Sequence, residues 1–150
     1  MPDVTVHATA VSISGEAVLI RGEPGAGKST LALELIEMPG SGLADAMLHA
    51  RLISDDQTDL TTDGGRIWCS APPALAGLLE VRGLGIVKVP AAGPTALKLI
   101  VDLVPGHEAP RLPEPNDQTT VLLGTPIPLI RLNKDGKALP SRVRTAFLRL

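Results

Sequence analysis

The segment spanning residues 22–29 constrains this chain more than any other. It reads Gly-Glu-Pro-Gly-Ala-Gly-Lys-Ser and fits G-x-x-x-x-G-K-[ST], the pattern of a phosphate-binding loop between a strand and a helix. Gly25 and Gly27 allow backbone N–H groups to point at an anion, Lys28 can reach the β- and γ-phosphates, and the Ser29 hydroxyl can ligate Mg²⁺. The pattern therefore predicts a nucleotide site followed by a helix, whose positive end adds to that site.

The sequence on both sides of the loop supports this interpretation. Residues 17–21 are an apolar run of the strand type, and residues 30–37 are helix formers with apolar side chains four positions apart. Residues 38–42 contain proline and glycine and predict the end of that helix. An ordinary glycine-rich turn is the alternative, and the flanking strand and helix argue against it. We expect the nucleotide to contact Gly22, Gly25, Ala26, Gly27, Lys28, Ser29 and Thr30.

Length and composition exclude several classes of protein. The 150 residues fit one domain, 1–150. The net charge of −2 and the two aromatic residues, Trp68 and Phe147, argue against a nucleic-acid partner. Cys69 is the single cysteine, which excludes an internal disulfide and favours a buried thiol in a reducing compartment. No apolar run approaches the ~20 residues of a membrane span, so we expect a cytoplasmic protein without a membrane partner.

The rest of the chain predicts a mostly β fold. Residues 4–7, 11–13 and 17–21 resemble a meander, residues 58–68 a hairpin, and residues 97–104 and 127–132 two further strands. Residues 105–115 form a proline-rich loop. Apolar side chains at helical spacing from Leu139 to Leu150 predict an amphipathic C-terminal helix, on which Arg142, Arg144 and Arg149 form a solvated face. The expected fold is α/β, with a phosphate-binding loop, a mixed β-sheet core and this C-terminal helix.

Two carboxylates follow the strand predicted at residues 50–54. Asp55 and Asp56 stand where a Walker B strand, placed beside the strand of the phosphate loop, delivers an aspartate toward Mg²⁺. Paired aspartates are also common in plain turns, but the presence of the phosphate loop favours a functional site here. Since adjacent strand residues point to opposite faces, only one of the two is expected to address the substrate directly.

Residues 78–89 place charges inside an apolar run. Glu80 and Arg82 stand there together with Gly83 and Gly85. Burial of such a charge costs on the order of several kcal/mol unless a partner or ligand compensates it. The alternative is a Glu80–Arg82 pair on the exposed side of an edge strand.

Three stretches together resemble the HPr kinase/phosphorylase family. They are His7 before the loop, Leu-Ile-Ser-Asp-Asp at residues 52–56, and Glu-Val-Arg-Gly-Leu-Gly-Ile at residues 80–86. The third is the most specific, because the family signature reads close to E-I-R-G-L-G-I and differs here by one Ile-to-Val change. The resemblance covers nearly the whole chain as the catalytic domain and lacks the N-terminal domain of longer members, as in the short form.

This resemblance implies an activity and its ligands. The family phosphorylates a seryl residue of an HPr-type phosphocarrier protein of the phosphotransferase system, using ATP and Mg²⁺, and it forms hexamers. The expected enzyme is therefore a protein serine kinase and a homo-oligomer. An ATP-binding regulatory module and a small-molecule or carboxykinase-like kinase are the rivals, and residues 80–83 argue against both.

The resemblance also implies roles for individual residues. Asp56 matches the proton acceptor in phosphorylation, which donates the proton in the reverse direction. Lys28 matches the phosphate-binding lysine, His7 an active-site histidine and Arg111 an active-site arginine.

The metal ligands and the reverse reaction follow from the same comparison with the family. Ser29 and Glu80 match Mg²⁺ ligands, and the Walker B pattern adds Asp55. Residues 133–140 depart from the basic loop that the family uses in dephosphorylation, and Asp135 removes positive charge there. We therefore expect phosphorolysis to be weak or absent.

Overall fold

The secondary structure includes eleven β-strands and two α-helices, and the computed structural model describes all of residues 1–150. The strands are β1 (Val4–Val6), β2 (Thr9–Ile13), β3 (Glu16–Gly22), β4 (Ala50–Ser54), β5 (Thr58–Asp63), β6 (Arg66–Ser70), β7 (Leu78–Val81), β8 (Gly85–Lys88), β9 (Thr95–Val104), β10 (Thr119–Leu122) and β11 (Thr125–Asn133). The helices are α1 (Lys28–Glu37) and α2 (Leu139–Leu148). Neither helix has the length and hydrophobicity that a membrane span requires.

Three parallel strands form the centre of the sheet. β9 pairs in parallel with β3 on one side and with β11 on the other. The four residues 17–20 of β3 are all buried, as expected for a strand covered on both faces. The carboxyl ends of β3, β9 and β11 lie at the same edge, where Gly22 is in register with Leu103 and Asn133 with Val104. Ligands of open α/β sheets bind at such an edge, and the predicted phosphate loop begins there.

Two expected strand pairings are wrong. β2 and β3 do form a hairpin, through Ser14 and Gly15 at φ 49° and 81°, but β1 pairs with β5 instead of extending the meander. β4 pairs with β2 and does not lie beside β3. The reason is that β2 occupies one edge of β3 and β9 the other, so no edge remains for β4.

The two faces of the sheet carry separate apolar cores. α1 and α2 cover one face, where Leu31, Leu35 and Phe147 pack with Val18 and Ile20. On the other face, the part of the sheet formed by β5 and β6 curls over, and its buried side chains include Leu60, Ile67 and Cys69, together with Leu19 and Ile100. Both predicted helices are present, and α1 begins two residues earlier than the predicted residue 30.

The prediction that Arg144 lies on a solvated face is wrong. This side chain is 5 % exposed, and its guanidinium donates hydrogen bonds to the carbonyls of Leu35 and Met38 at the end of α1. Gly40 makes room for it, since a Cβ there would lie 2.6 Å from a guanidinium nitrogen. Burial lowers the pKa of Arg144. Arg142 and Arg149 are exposed as expected.

The sequence analysis missed the hairpin that ends in the last strand. β10 pairs antiparallel with β11 through a turn at Leu123 and Gly124, whose φ angles are 48° and 77°. The predicted strand at residues 127–132 is therefore the inner part of a longer strand, β11. The hairpin predicted at residues 58–68 is present as β5 and β6.

Burial predicts the reactivity of the only cysteine. Cys69 is fully buried in β6, and burial raises the pKa of its thiol to about 12. Because the thiolate is the reactive form, native protein at pH 8 should resist iodoacetamide and react only after unfolding in guanidinium chloride. Mass spectrometry of the intact protein measures the added group. Rapid alkylation of the native protein would show that this face of the sheet is open.

Candidate functional site

The loop between β3 and α1 is tightly wound. Gly25 and Gly27 have φ angles of 83° and 99°, in the left-handed region that favours glycine, and Gly27 is the residue that begins α1 as its N-cap. A Cβ on Gly22 would lie 2.9 Å from the Cβ of Ala26 and 3.1 Å from the carbonyl oxygen of Leu103. The path of the loop therefore depends on its glycines, and it precedes a helix N-terminus, an arrangement that attracts anions.

Lys28 folds back over this loop. Its Nζ donates to the carbonyl oxygens of Gly22 at 2.7 Å and Glu23 at 3.2 Å. The ammonium group is therefore held at the mouth of the loop by two neutral acceptors. A phosphate oxygen offers a stronger, charge-assisted hydrogen bond, so an anion entering the loop would compete well for this group.

Asp55 connects three elements around the cleft. Only 7 % of the residue is exposed, and its Oδ1 accepts hydrogen bonds from Ser29 Oγ at 2.6 Å and Thr9 Oγ1 at 2.9 Å. Its Oδ2 accepts one from the backbone N–H of Glu80 at 2.9 Å. These donors come from α1, β2 and β7. They compensate the cost of removing a carboxylate from water, which explains how the site keeps this group buried.

Asp56 has a different environment from its neighbour. It is exposed, its φ angle is 67°, and its backbone N–H donates to Thr9 Oγ1 at 3.2 Å. β4 ends at Ser54, so the alternation of strand faces does not continue, and both aspartates line the same cleft. The alternation argument for expecting only one of them to address the substrate therefore does not apply, and the expectation itself stays a prediction. Asp is among the residues that tolerate the left-handed conformation.

Glu80 and Arg82 reach the cleft from the hairpin of β7 and β8. Both are exposed, so neither pays the cost of burial that the apolar sequence around them suggested. They form no ion pair with each other, and each lines the cleft instead. The alternative of a Glu80–Arg82 ion pair on an exposed strand is therefore wrong, although the exposure that it implied is confirmed.

The cleft brings most of the predicted site residues together. It has a volume of about 190 Å³. Its lining consists of Pro24, Gly25, Gly27, Lys28, Ser29, Thr30, Asp55, Asp56, Glu80 and Arg82. Every side chain that meets it is polar, charged or small. Gly22 and Ala26 support the loop from behind the cleft, where the loop packs against Leu103.

The oxygen atoms in the cleft suit a hard divalent cation. Ser29 offers a hydroxyl, and Asp55 and Glu80 offer carboxylates, which are the ligand types that Mg²⁺ prefers. The chain contains no cluster of three His, Cys, Asp or Glu residues able to hold a metal. The residues therefore fit a cation that is bound partly by the protein and partly by substrate phosphates and water, as is usual for Mg²⁺.

Two predicted site residues lie outside the cleft. His7 is exposed and follows β1, two positions before Thr9. Arg111 is exposed and lines a separate cavity of about 510 Å³ between α2 and β11, together with Arg131 and Arg142. The loop that carries Arg111 does leave the sheet at the carboxyl end of β9, at the edge where the cleft lies. Their roles in the site stay predictions.

Thr9 is a site residue that the sequence analysis missed. It is fully buried, donates to Asp55 and accepts from the backbone of Asp56. The available signal was a single hydroxyl between Ala8 and Ala10 in an apolar strand, since a buried polar group needs a partner. Its sequence separation from the aspartates, 46 and 47 positions, hid that partner.

Replacing Thr9 tests this hydrogen-bonded arrangement. Thr9→Val keeps the shape of the side chain but removes one donor to Asp55 and leaves the Asp56 N–H without its acceptor. We expect a loss of about 1–3 kcal/mol in the free energy of unfolding, because a partly buried polar group loses its partner. Thr9→Ser keeps the hydroxyl and should lose clearly less. Urea denaturation measures both, and a larger loss in Thr9→Ser than in Thr9→Val would mean that the methyl group, not the hydroxyl, matters.

Comparison with known proteins finds a matching family and related proteins. The sequence model of the HPr Serine kinase C-terminal domain matches residues 1–146. HPr kinase/phosphorylase of Burkholderia lata is 41 % identical over 140 residues, covering 84 % of this chain and 39 % of that protein. The protein of the same name from Clostridium tetani is 40 % identical over 90 residues, covering 60 % of this chain and 26 % of that protein. The chain thus spans well under half the length of these relatives.

A solved structure resembles nearly the whole chain. It is the structure of the Hpr(Ser) kinase/phosphatase from Coxiella burnetii, with a TM-score of 0.79 and 28 % sequence identity, covering 98 % of this chain and 90 % of that one. The mixed α/β fold with its curled sheet and two helices is therefore shared with that protein. Together with the match over residues 1–146, this shows that the chain belongs to the HPr Serine kinase C-terminal domain family.

Proposed function

We propose that residues 1–150 form one catalytic domain that transfers the γ-phosphoryl group of ATP to a seryl hydroxyl of an HPr-type phosphocarrier protein in the cytoplasm. The observation that carries the proposal is the cleft, in which the Lys28 ammonium, the Ser29 hydroxyl and the exposed Asp56 carboxylate meet. Membership of the family supports the substrate assignment. A nucleotide and a hydroxyl-bearing acceptor are what this set of groups suits best.

The phosphate loop would bind the nucleotide. Backbone N–H groups at the start of α1 and the Lys28 ammonium would hold the β- and γ-phosphates. Ser29, Asp55 and Glu80 would hold Mg²⁺, which neutralises charge on the phosphates when bound. On nucleotide binding, the Lys28 ammonium would exchange its hydrogen bonds to two backbone carbonyls for hydrogen bonds to charged phosphate oxygens.

Asp56 is the better candidate for the base. The carboxylate of Asp55 already accepts three hydrogen bonds, whereas that of Asp56 is exposed in the cleft. Asp56 would accept the proton of the seryl hydroxyl while the seryl oxygen bonds to the γ-phosphorus. The bond between that phosphorus and the β–γ bridging oxygen breaks, and ADP leaves. The atoms and charges balance without any further reactant.

Positioning of the reactants and neutralisation of phosphate charge would supply most of the rate enhancement. Phosphoryl transfer depends mainly on alignment and charge neutralisation, and a general base typically contributes about 10²- to 10⁴-fold. Loss of Asp56 should therefore reduce turnover strongly without preventing nucleotide binding. Loss of Lys28 should act on binding itself, because no other ammonium group lines the cleft.

The forward reaction should dominate over phosphorolysis. Reversal by inorganic phosphate needs extra cations to hold a second anion near the first, yet Lys134 forms an ion pair with Asp135 at 3.1 Å. The guanidinium of Arg144 is hydrogen-bonded to the end of α1 and cannot supply the missing positive charge. Arg142 is exposed but lines the separate cavity with Arg111.

Transfer of label tests the function directly. Protein is incubated with [γ-³²P]ATP, Mg²⁺ and the HPr-type carriers of the host, each beside a variant with the target serine changed to alanine. We expect label on the serine-containing carrier only, and we expect the label to persist when ATP is removed and phosphate is added. ATP binding without transfer would indicate a regulatory module, and transfer to small molecules alone a different kinase.

The paired aspartates and Lys28 give the matching variants. Asp56→Asn should lower kcat about 10²- to 10⁴-fold and leave the Kd of MgATP within a small factor. Lys28→Met should abolish MgATP binding, measured by calorimetry. A normal kcat in Asp56→Asn would remove Asp56 from the base role, and unchanged affinity in Lys28→Met would show that this loop is not the nucleotide site.

A further inference from the structure

The hairpin of β7 and β8 presents apolar side chains beside the cleft. Glu80 and Ile86 are directly opposite each other in its register, so their side chains lie on the same face. Glu80 lines the cleft, and Ile86, which is 64 % exposed, is therefore its immediate neighbour on that face. Leu84, in the turn, is 81 % exposed. The opposite face carries Leu79, which is 1 % exposed and anchors the hairpin in the core.

The space above this face adjoins the cleft. A cavity of about 580 Å³ is lined by Glu80, Val81, Arg82, Gly83, Gly85 and Ile86. Glu80 and Arg82 line both this cavity and the cleft. A molecule whose reactive group enters the cleft from this side must therefore rest against Ile86.

Folding of this chain leaves these side chains without a partner. Burial of a Leu or Ile side chain stabilises a protein, and neither Ile86 nor Leu84 obtains that stabilisation here. Apolar side chains grouped beside a polar cleft are typical of an interaction site. The exposed cations Arg82 and Lys88 lie on the same hairpin as the exposed Glu80, so the apolar side chains are accompanied by two positive charges and one negative charge.

We propose that Leu84 and Ile86 form the docking surface for the protein acceptor, whose apolar side chains next to the reactive hydroxyl bury them. This inference rests on the proposed function, since it needs an acceptor hydroxyl at Asp56. The acceptor is favoured over other occupants because Ile86 adjoins Glu80, so whatever flanks a hydroxyl in the cleft must cover it. The two cations Arg82 and Lys88 further favour an acceptor with acidic residues that can meet them.

Substitutions on the hairpin test the docking surface in the full chain. Ile86→Ala has a matched control in Val121→Ala, because Val121 is also a β-branched strand residue and is 66 % exposed, on β10. In the Leu84→Ala/Ile86→Ala protein, we expect KM for the carrier to rise roughly tenfold or more, as two buried apolar side chains are truncated. The Kd of MgATP and kcat should stay within twofold, and Val121→Ala should behave as wild type.

Each other outcome overturns the proposal in an identifiable way. An unchanged carrier KM, with normal transfer by wild type, rejects the docking surface alone. A weaker MgATP Kd would mean that the hairpin covers the nucleotide, and a lower molar mass by light scattering would mean that a second copy of the chain covers it. Absence of transfer by wild type would reject the proposed function and this surface together.

Discussion

The buried carboxylate of Asp55 holds the three walls of the cleft in place. It joins the first turn of α1 through Ser29, the inner strand β2 through Thr9, and the hairpin through the backbone of Glu80. These partners are 26, 46 and 25 positions away in the sequence. Hydrogen bonds to charged groups are each worth about 1.5–3 kcal/mol, so a small number of contacts is sufficient to fix the relative positions of these elements.

The carboxylate of the neighbouring Asp56 is exposed, whereas that of Asp55 accepts three hydrogen bonds. The chain leaves β4 after Ser54 and takes the left-handed conformation at Asp56, which brings a second carboxylate to the same cleft. Two adjacent residues of one type thus receive different tasks from their surroundings, one binding the structure together and the other facing solvent. Thr9 links both, since its hydroxyl contacts the Asp55 side chain and the Asp56 backbone.

Local patterns made part of this arrangement predictable. The glycine spacing predicted the loop and α1, and the apolar run before Asp55 predicted β4 to the residue, because both depend on short-range chemistry. The pairing of β4 with β2 was not predictable, since it depends on which edges other strands occupy. Arg144 shows the same limit: its helical spacing was correct, but the space that Gly40 leaves for it lies about a hundred residues away in the sequence.

The site was predicted better than the sheet around it. Lys28, Ser29, Asp55, Asp56 and Glu80 lie around one cleft, as their short motifs indicated, and their binding roles stay predictions. Thr9 escaped notice because a lone threonine in a strand carries no motif, and its role appears only once β2 and β4 pair. Arg111 lies in another cavity, since no local pattern fixes where a long proline-rich loop places a side chain.

The most direct test of the account is the amide exchange rate of Glu80, whose N–H donates to Asp55 Oδ2 at 2.9 Å. Hydrogen exchange resolved by NMR would compare wild type with Asp55→Ala, using the amide of Ile100 in the central strand β9 as an internal reference. The account predicts that Glu80 exchanges at least roughly tenfold faster in the variant, as a hydrogen bond to a charged group is lost, while Ile100 changes far less. Equal rates for Glu80 in the two proteins would contradict the claim that Asp55 holds the hairpin against the cleft.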